Sequence, residues 1–191
     1  MTTRKFIATC KQSIHDHDQE TLFNAVGDFA EFCYAEPTDV IADDMVVDFI
    51  ASSISSPEFR EMMGSWRLLL LIEYNWSTFK KHQLTKFLRM FQLYYSLFID
   101  PMAWFTISEI LGEYYCDSEA LKVLKVLSTS EEEGPRSLIP HAFEHIVKSA
   151  ADHSVSSMAL HELMAMRNDQ SYQVIQEVSI SIERLKAVGK L

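Results

Sequence analysis

A helix-pair pattern recurs about every 38 residues through the last two-thirds of this chain, and no other feature constrains its fold as much. The clearest copy opens at Leu111–Gly112–Glu113 and runs through Asp117–Ser118–Glu119–Ala120–Leu121 to Leu127. It breaks between Glu131 and Pro135, then resumes from Leu138 to Val147. A repeat of that length is one helical hairpin, which cannot bury its apolar side alone and must stack on a neighbour. No segment alternates apolar and polar residues with period two over a useful length, so no sheet is expected.

The expected helices follow from caps and apolar spacing. Residues 2–17 and 21–35 read as a hairpin, with Asp18 or Thr21 capping the second helix. Pro37–Thr38–Asp39 restarts the chain before a helix over Asp43 to Ser53. Ser55–Ser56–Pro57–Glu58 predicts one helix to about Tyr74, because Pro suits a first helical position. Ser77 is expected to cap a helix to Phe98, in which Leu84, Leu88, Phe91, Tyr95 and Phe98 form one apolar stripe. Asp100–Pro101 starts a helix to about Tyr115, and helices at 117–128, 136–151, 154–167 and 170–187 bring the number to about ten. Leu138, Ile139, Ala142, Phe143, Ile146 and Val147 cover about half a cylinder at 100° per residue, a face buried on two sides. The last helix carries the narrower stripe Ile175, Val178, Ile182, Leu185, which suits a cap with one face in water.

With 191 residues and 48% apolar composition, the chain can bury a sizeable core without metal or disulfides. Cys10, Cys33 and Cys116 lie far apart, which argues for reduced thiols and a cytoplasmic protein. Leu68 to Ile72 is far too short to span a bilayer, and the apolar stretch after Arg4–Lys5 is too short for a signal peptide.

The net charge of −10 is unevenly spread. Between Lys11 and Arg60 there is no Lys or Arg, yet Asp16, Asp18, Glu20, Asp28, Glu31, Glu36, Asp39, Asp43, Asp44, Asp48 and Glu58 occur there. Such a surface either aids solubility or steers a basic partner, and it repels nucleic-acid phosphates. Lys80, Lys81, Lys86 and Arg89, with His82, form one basic helix expected to balance the acidic first third within the molecule or to meet an acidic partner.

The Gly112-to-Arg136 unit, with its Ala-containing apolar helix beyond Pro135–Arg136, resembles a HEAT-like repeat. Asp152 to Leu163, Asn168–Asp169 and Ile175 to Leu185 look like a more degenerate copy, and Leu71 to Leu111 like a longer one. The resemblance covers roughly residues 58–187. It implies an all-α fold, an α-α superhelix of about five HEAT-like hairpins in a single domain over 1–191. Residues 1–57 would be acidic and less regular, and residues 58–191 would hold the hairpins. Arg136 is followed by Ser–Leu–Ile–Pro rather than a smooth Ala-rich helix, a departure from the family. Small HEAT-like proteins are mostly binding scaffolds, and a minority are bilin-attaching lyases or alkylpurine glycosylases.

His141–Ala142–Phe143–Glu144–His145 matches H-x-x-E-H, in which two His would ligate zinc and the Glu would activate its water. The helical wheel puts His141, Glu144, His145 and Lys148 on one polar face, with the Lys cation between the supposed ligands. The expectation is therefore a solvated or partner-contacting face and no metal or cofactor, His141 and His145 remaining weak candidates. His161–Glu162 lacks a second ligand because Ala165 stands where H-E-x-x-H needs His. His15–Asp16–His17–Asp18 alternates around a helix end and reads as a polar terminus. No Glu stands three residues before any His, and no glycine-rich phosphate loop or G-x-S-x-G occurs.

The leading expectation is a non-enzymatic module that binds a basic protein, most concretely a bacterial immunity protein against a cationic nuclease toxin. Asp43, Asp44 and Asp48 would steer, Glu109, Glu113, Asp117 and Glu119 would form an acidic ridge, and Trp76 and Trp104 would be exposed anchors. The alternatives are an adaptor with a neutral partner, or an enzyme, either a zinc hydrolase at His141 and His145 or a HEAT-like lyase or glycosylase. Neither nucleic acid nor membrane is an expected partner.

Overall fold

Two short helices joined by a capped turn begin the chain, and every later regular element among the described residues is helical too. The computed structural model describes residues 1–35 and 40–191, and among them there is no strand. The expected restart at Pro37–Thr38–Asp39 lies outside the described residues. Residues 1–106 and 107–191 form two compact units.

In the first unit, α1 (Thr3–His15) and α2 (Gln19–Ala35) form the expected hairpin. Asp18 is the residue that closes it, accepting from the Thr21 amide at 3.0 Å and from its hydroxyl at 2.6 Å. Asp43 caps α3 (Asp44–Ser55), and Ser56 caps α4 (Pro57–Arg60). Phe6 and Phe29 stack at 4.0 Å, and Phe49 meets Phe6 edge-on at 5.8 Å. All three are buried, and each contributes about 1.5–3 kcal/mol by leaving water.

The single helix expected from Pro57 to Tyr74 is instead two. The chain leaves α4 after Arg60 and restarts as α5 (Trp66–Tyr74), because Gly64 takes a left-handed turn at φ +88°. The Gly64 amide donates to buried Asp100 at 2.6 Å, and the Arg60 carbonyl accepts from Ile99 at 3.0 Å. Nor does Ser77 cap the next helix. That helix, α6 (Lys81–Tyr94), starts later, where the Gln83 side chain accepts from the Lys80 amide at 2.9 Å. Leu88, Phe91, Tyr95 and Phe98 are buried as expected, with Leu84 only partly so.

Asp100 accepts from the Met102 amide at 2.9 Å as α7 (Pro101–Glu109) begins. The second unit then contains a wide turn over Ile110–Tyr114, α8 (Ser118–Leu127), α9 (Glu133–Ser137), α10 (Ile139–Ser149), α11 (His153–Ala165) and α12 (Tyr172–Ala187). Helix α10 packs against the wide turn, α11 and α12, and buries Ile139, Ala142, Phe143, Ile146 and Val147. On α12 the buried positions are Val174, Val178, Ser181 and Leu185, so the stripe is turned from the expected one, with Ile175 and Ile182 at its margin. No helix among the described residues is long and apolar enough to cross a membrane.

Candidate metal centre

The helix that starts at Pro101 changes pitch after Glu109. Over Ile110–Tyr114 it widens to a π-turn, closed by the Tyr115 amide donating to the Ile110 carbonyl at 2.9 Å. Such turns occur often at functional sites because they re-aim the side chains beside them. Here the turn presents Gly112 to α10. A β-carbon on Gly112 would stand 2.7 Å from the Ala142 carbonyl oxygen, so glycine is what lets the two backbones approach.

That approach brings Glu109 and Glu113 over His141 and His145, which share one side of α10 at i, i+4. Glu109 Oε1 lies 2.8 Å from His141 Nε2 and 3.9 Å from His145 Nε2, and the two Nε2 atoms are 3.2 Å apart. Of their other ring nitrogens, His145 Nδ1 lies 3.5 Å from Glu113, and His141 Nδ1 lies 3.4 Å from Arg184 Nη1 and 3.6 Å from Glu144. The side chains of Glu109, His141 and His145 are only 15–20% exposed. Among the described residues these three are the only group of His, Cys, Asp or Glu set to hold a metal ion.

The expected solvated face is therefore corrected. It packs against the wide turn and α12, and Glu144 is 1% exposed. Lys148 does not stand between free ligands but pairs with Glu144 Oε1, while Arg184 Nη1 lies 3.5 Å from Oε2. Glu144 thus faces Lys148 and the Nδ1 side of His141, not the meeting point of the Nε2 atoms, and the water-activating role of the H-x-x-E-H pattern is not open to it.

Electrostatics separate the two histidines. Contact with Glu109 raises His141 above its ordinary value, against the opposing effect of burial. Burial lowers His145, and the neighbouring His141 charge adds to that. Burial pushes Glu109 up, but His141 and His145 outweigh it and hold the carboxyl below its usual range. Glu144 is also held low, the Lys148 contact outweighing burial. Even so, Glu109 Oε1 and Glu144 Oε2 are buried with no well-directed hydrogen bond.

The other sequence candidates are placed as follows. Asp43 caps α3 through the Met45 amide at 2.7 Å, and Asp117 caps α8 through Glu119 and Ala120. Asp44 accepts from Gln83 at 2.7 Å and lies 3.7 Å from His82, and Asp48 pairs with Lys86. The basic helix balances these acids within the molecule, one of its two expected roles. Glu119 pairs with Lys122 at 2.7 Å. Trp76 is 8% exposed and sits in the core, which corrects its reading as an exposed anchor, and Trp104 is half-buried. His15, His17 and His161 are exposed, and Glu162 pairs with Lys125 at 2.7 Å.

Comparison with known families, curated proteins and solved structures finds no match to this chain.

Proposed function

We propose that this chain binds one divalent transition-metal ion of the zinc class through Glu109 Oε1, His141 Nε2 and His145 Nε2. One observation carries the reading. Ligands about 2.0–2.1 Å from a tetrahedral zinc are about 3.3 Å apart, and the three donor separations here are 2.8, 3.2 and 3.9 Å. Glu113 beside His145 Nδ1 supports it, since the second nitrogen of a metal-bound His ordinarily faces a carboxylate. Glu109, Glu113 and Glu144 outnumber Lys148 and Arg184, so a cation offsets the surplus. Three protein ligands leave a fourth position for water.

Titration of the chelator-treated protein with zinc tests this by calorimetry, and cobalt substitution reads the geometry from its visible spectrum. One ion per chain is expected, with a tetrahedral cobalt spectrum, both lost in Glu109→Ala and in His145→Ala. Wild-type protein that takes up no zinc, or variants that bind as wild type does, would overturn the assignment.

A second reading is supported by a separate observation. Asp16, Asp18, Glu20, Asp28 and Glu31 on and between α1 and α2 are all exposed. An acidic surface of that kind suits a basic protein partner, including the nuclease-toxin target of an immunity protein. Its steering acids would be these rather than Asp44 and Asp48. Capture of a stoichiometric basic protein that elutes as salt rises would support it, and a salt-indifferent partner would favour an adaptor. The HEAT-like reading of residues 58–187 is kept as part of this proposal. The three free cysteines suit a cytoplasmic setting.

A further inference from the structure

Within residues 1–106 a concavity of about 530 Å³ opens between α2 and α5. Phe23, Gly27 and Tyr34 line it from α2, and Arg67, Leu71 and Tyr74 from α5. Phe23, Tyr34 and Tyr74 are exposed, so three large rings are held in water around one opening. Its volume falls within the range of about 300–1,000 Å³ usual for small-molecule sites.

Among the described residues Arg67 is the one charged residue in the wall, and none of them there is an acid, although the chain as a whole is acidic. The guanidinium lies 4.4 Å over the Phe23 ring and donates from Nη1 to the Gln19 carbonyl at 3.1 Å. Its Nε, by contrast, is shut off from water with no hydrogen-bond partner. A guanidinium is matched best by a planar carboxylate. Cys33 in the same wall has its thiol pushed up by burial, as an apolar medium requires.

We infer that this concavity binds a small amphipathic molecule, an apolar chain or ring bearing a carboxylate that pairs with Arg67. The apolar walls take the body, and the ring-stacked guanidinium takes the head. The inference is independent of the metal centre, whose ligands all lie in the other unit.

Dodecanoate and its uncharged counterpart dodecanol are the probes, titrated into the full chain by calorimetry. Wild type is expected to bind one dodecanoate in preference to dodecanol. Arg67→Met should weaken dodecanoate by about tenfold or more and leave dodecanol unchanged, while Arg67→Lys should fall between. Gly27 has open space beyond its α-carbon. Gly27→Phe should therefore block both probes with the helical circular dichroism intact. With Cys10 and Cys116 changed to Ser, bound dodecanoate should slow alkylation of Cys33. Absence of saturable binding, equal affinity for both probes, or dodecanoate binding that survives Gly27→Phe would overturn the inference. So would an Arg67→Met protein that retains wild-type affinity.

Discussion

Gly112 lies so close to Ala142 that a β-carbon on it would stand 2.7 Å from the Ala142 carbonyl oxygen and 2.8 Å from its α-carbon. Both neighbours are backbone and cannot rotate aside, so Gly112→Ala must push the wide turn and α10 apart. Overpacking of this kind costs about 1–3 kcal/mol, more than the gain of up to about 1 kcal/mol from Ala in a helical segment. The urea midpoint should fall, and zinc affinity with it, since Glu109 and Glu113 ride on that turn. Gly27→Ala is the control. Its β-carbon meets nothing within 4 Å, so the midpoint should hold or rise.

Glu113 stands behind His145 rather than in the ligand set, with Oε2 3.5 Å from Nδ1 and a side chain about half exposed at 47%. Loss of such a supporting acid typically costs about 10–100-fold in metal affinity. Glu113→Ala should therefore bind zinc with one-to-one stoichiometry but that much more weakly, and the apo protein should keep its urea midpoint. Competition against a chromophoric chelator gives the ratio. An unchanged affinity would show that His145 is oriented by something else.

Caps and apolar spacing placed most helices within a few residues, since Asp18, Asp43, Ser56 and Asp117 all accept the amide bonds their positions imply. The break at Gly64 was not legible. It depends on Asp100, which reaches the Gly64 amide from 36 residues away. Both halves of the metal centre were visible as i, i+4 pairs, Glu109 with Glu113 and His141 with His145. Their meeting was not, because it needs a π-turn and a backbone contact that no local pattern encodes. A helical wheel assigns a face to water whenever it is polar, and so it put buried Glu144 outside. Arg67 carried no sequence signal, because the apolar concavity around it forms only when α2 and α5 pack together.

Asp48 pairs with Lys86, and both side chains remain substantially exposed. Exposed pairs contribute about 0–1 kcal/mol, so Asp48→Asn and Lys86→Met should each shift stability by no more than that. The charge reversal Asp48→Lys should cost more, because it sets two cations side by side. A slower association in Asp44→Lys plus Asp48→Lys would then mix lost steering with local rearrangement. Neutral Asp16→Asn, Glu20→Gln and Asp28→Asn separate the two. If a basic partner docks on α1 and α2, their combination should slow association at low salt and converge with wild type as salt rises.

Arg136 and Asp169 give the second unit a pH dependence with a definite sign. Arg136 Nε donates to Oδ2 at 3.0 Å and Nη2 to Oδ1 at 3.1 Å, while Nη1 serves the Ser130 and Glu131 carbonyls. Burial pushes the Asp169 carboxyl up, but Arg136 and the Ser171 amide outweigh it and hold it below the ordinary 3.8. A carboxyl with a lowered folded-state value stabilises the fold above its unfolded value, and that contribution is lost as pH falls through the folded one. Arg136→Met should therefore cost about 1.5–3 kcal/mol at pH 7, as charged hydrogen bonds do. The gap between variant and wild type should narrow below about pH 4, where the unfolded Asp169 takes up its proton. Urea unfolding at a series of pH values reads both quantities, and a gap that stays constant into acid would show that Arg136 acts through its carbonyl bonds alone.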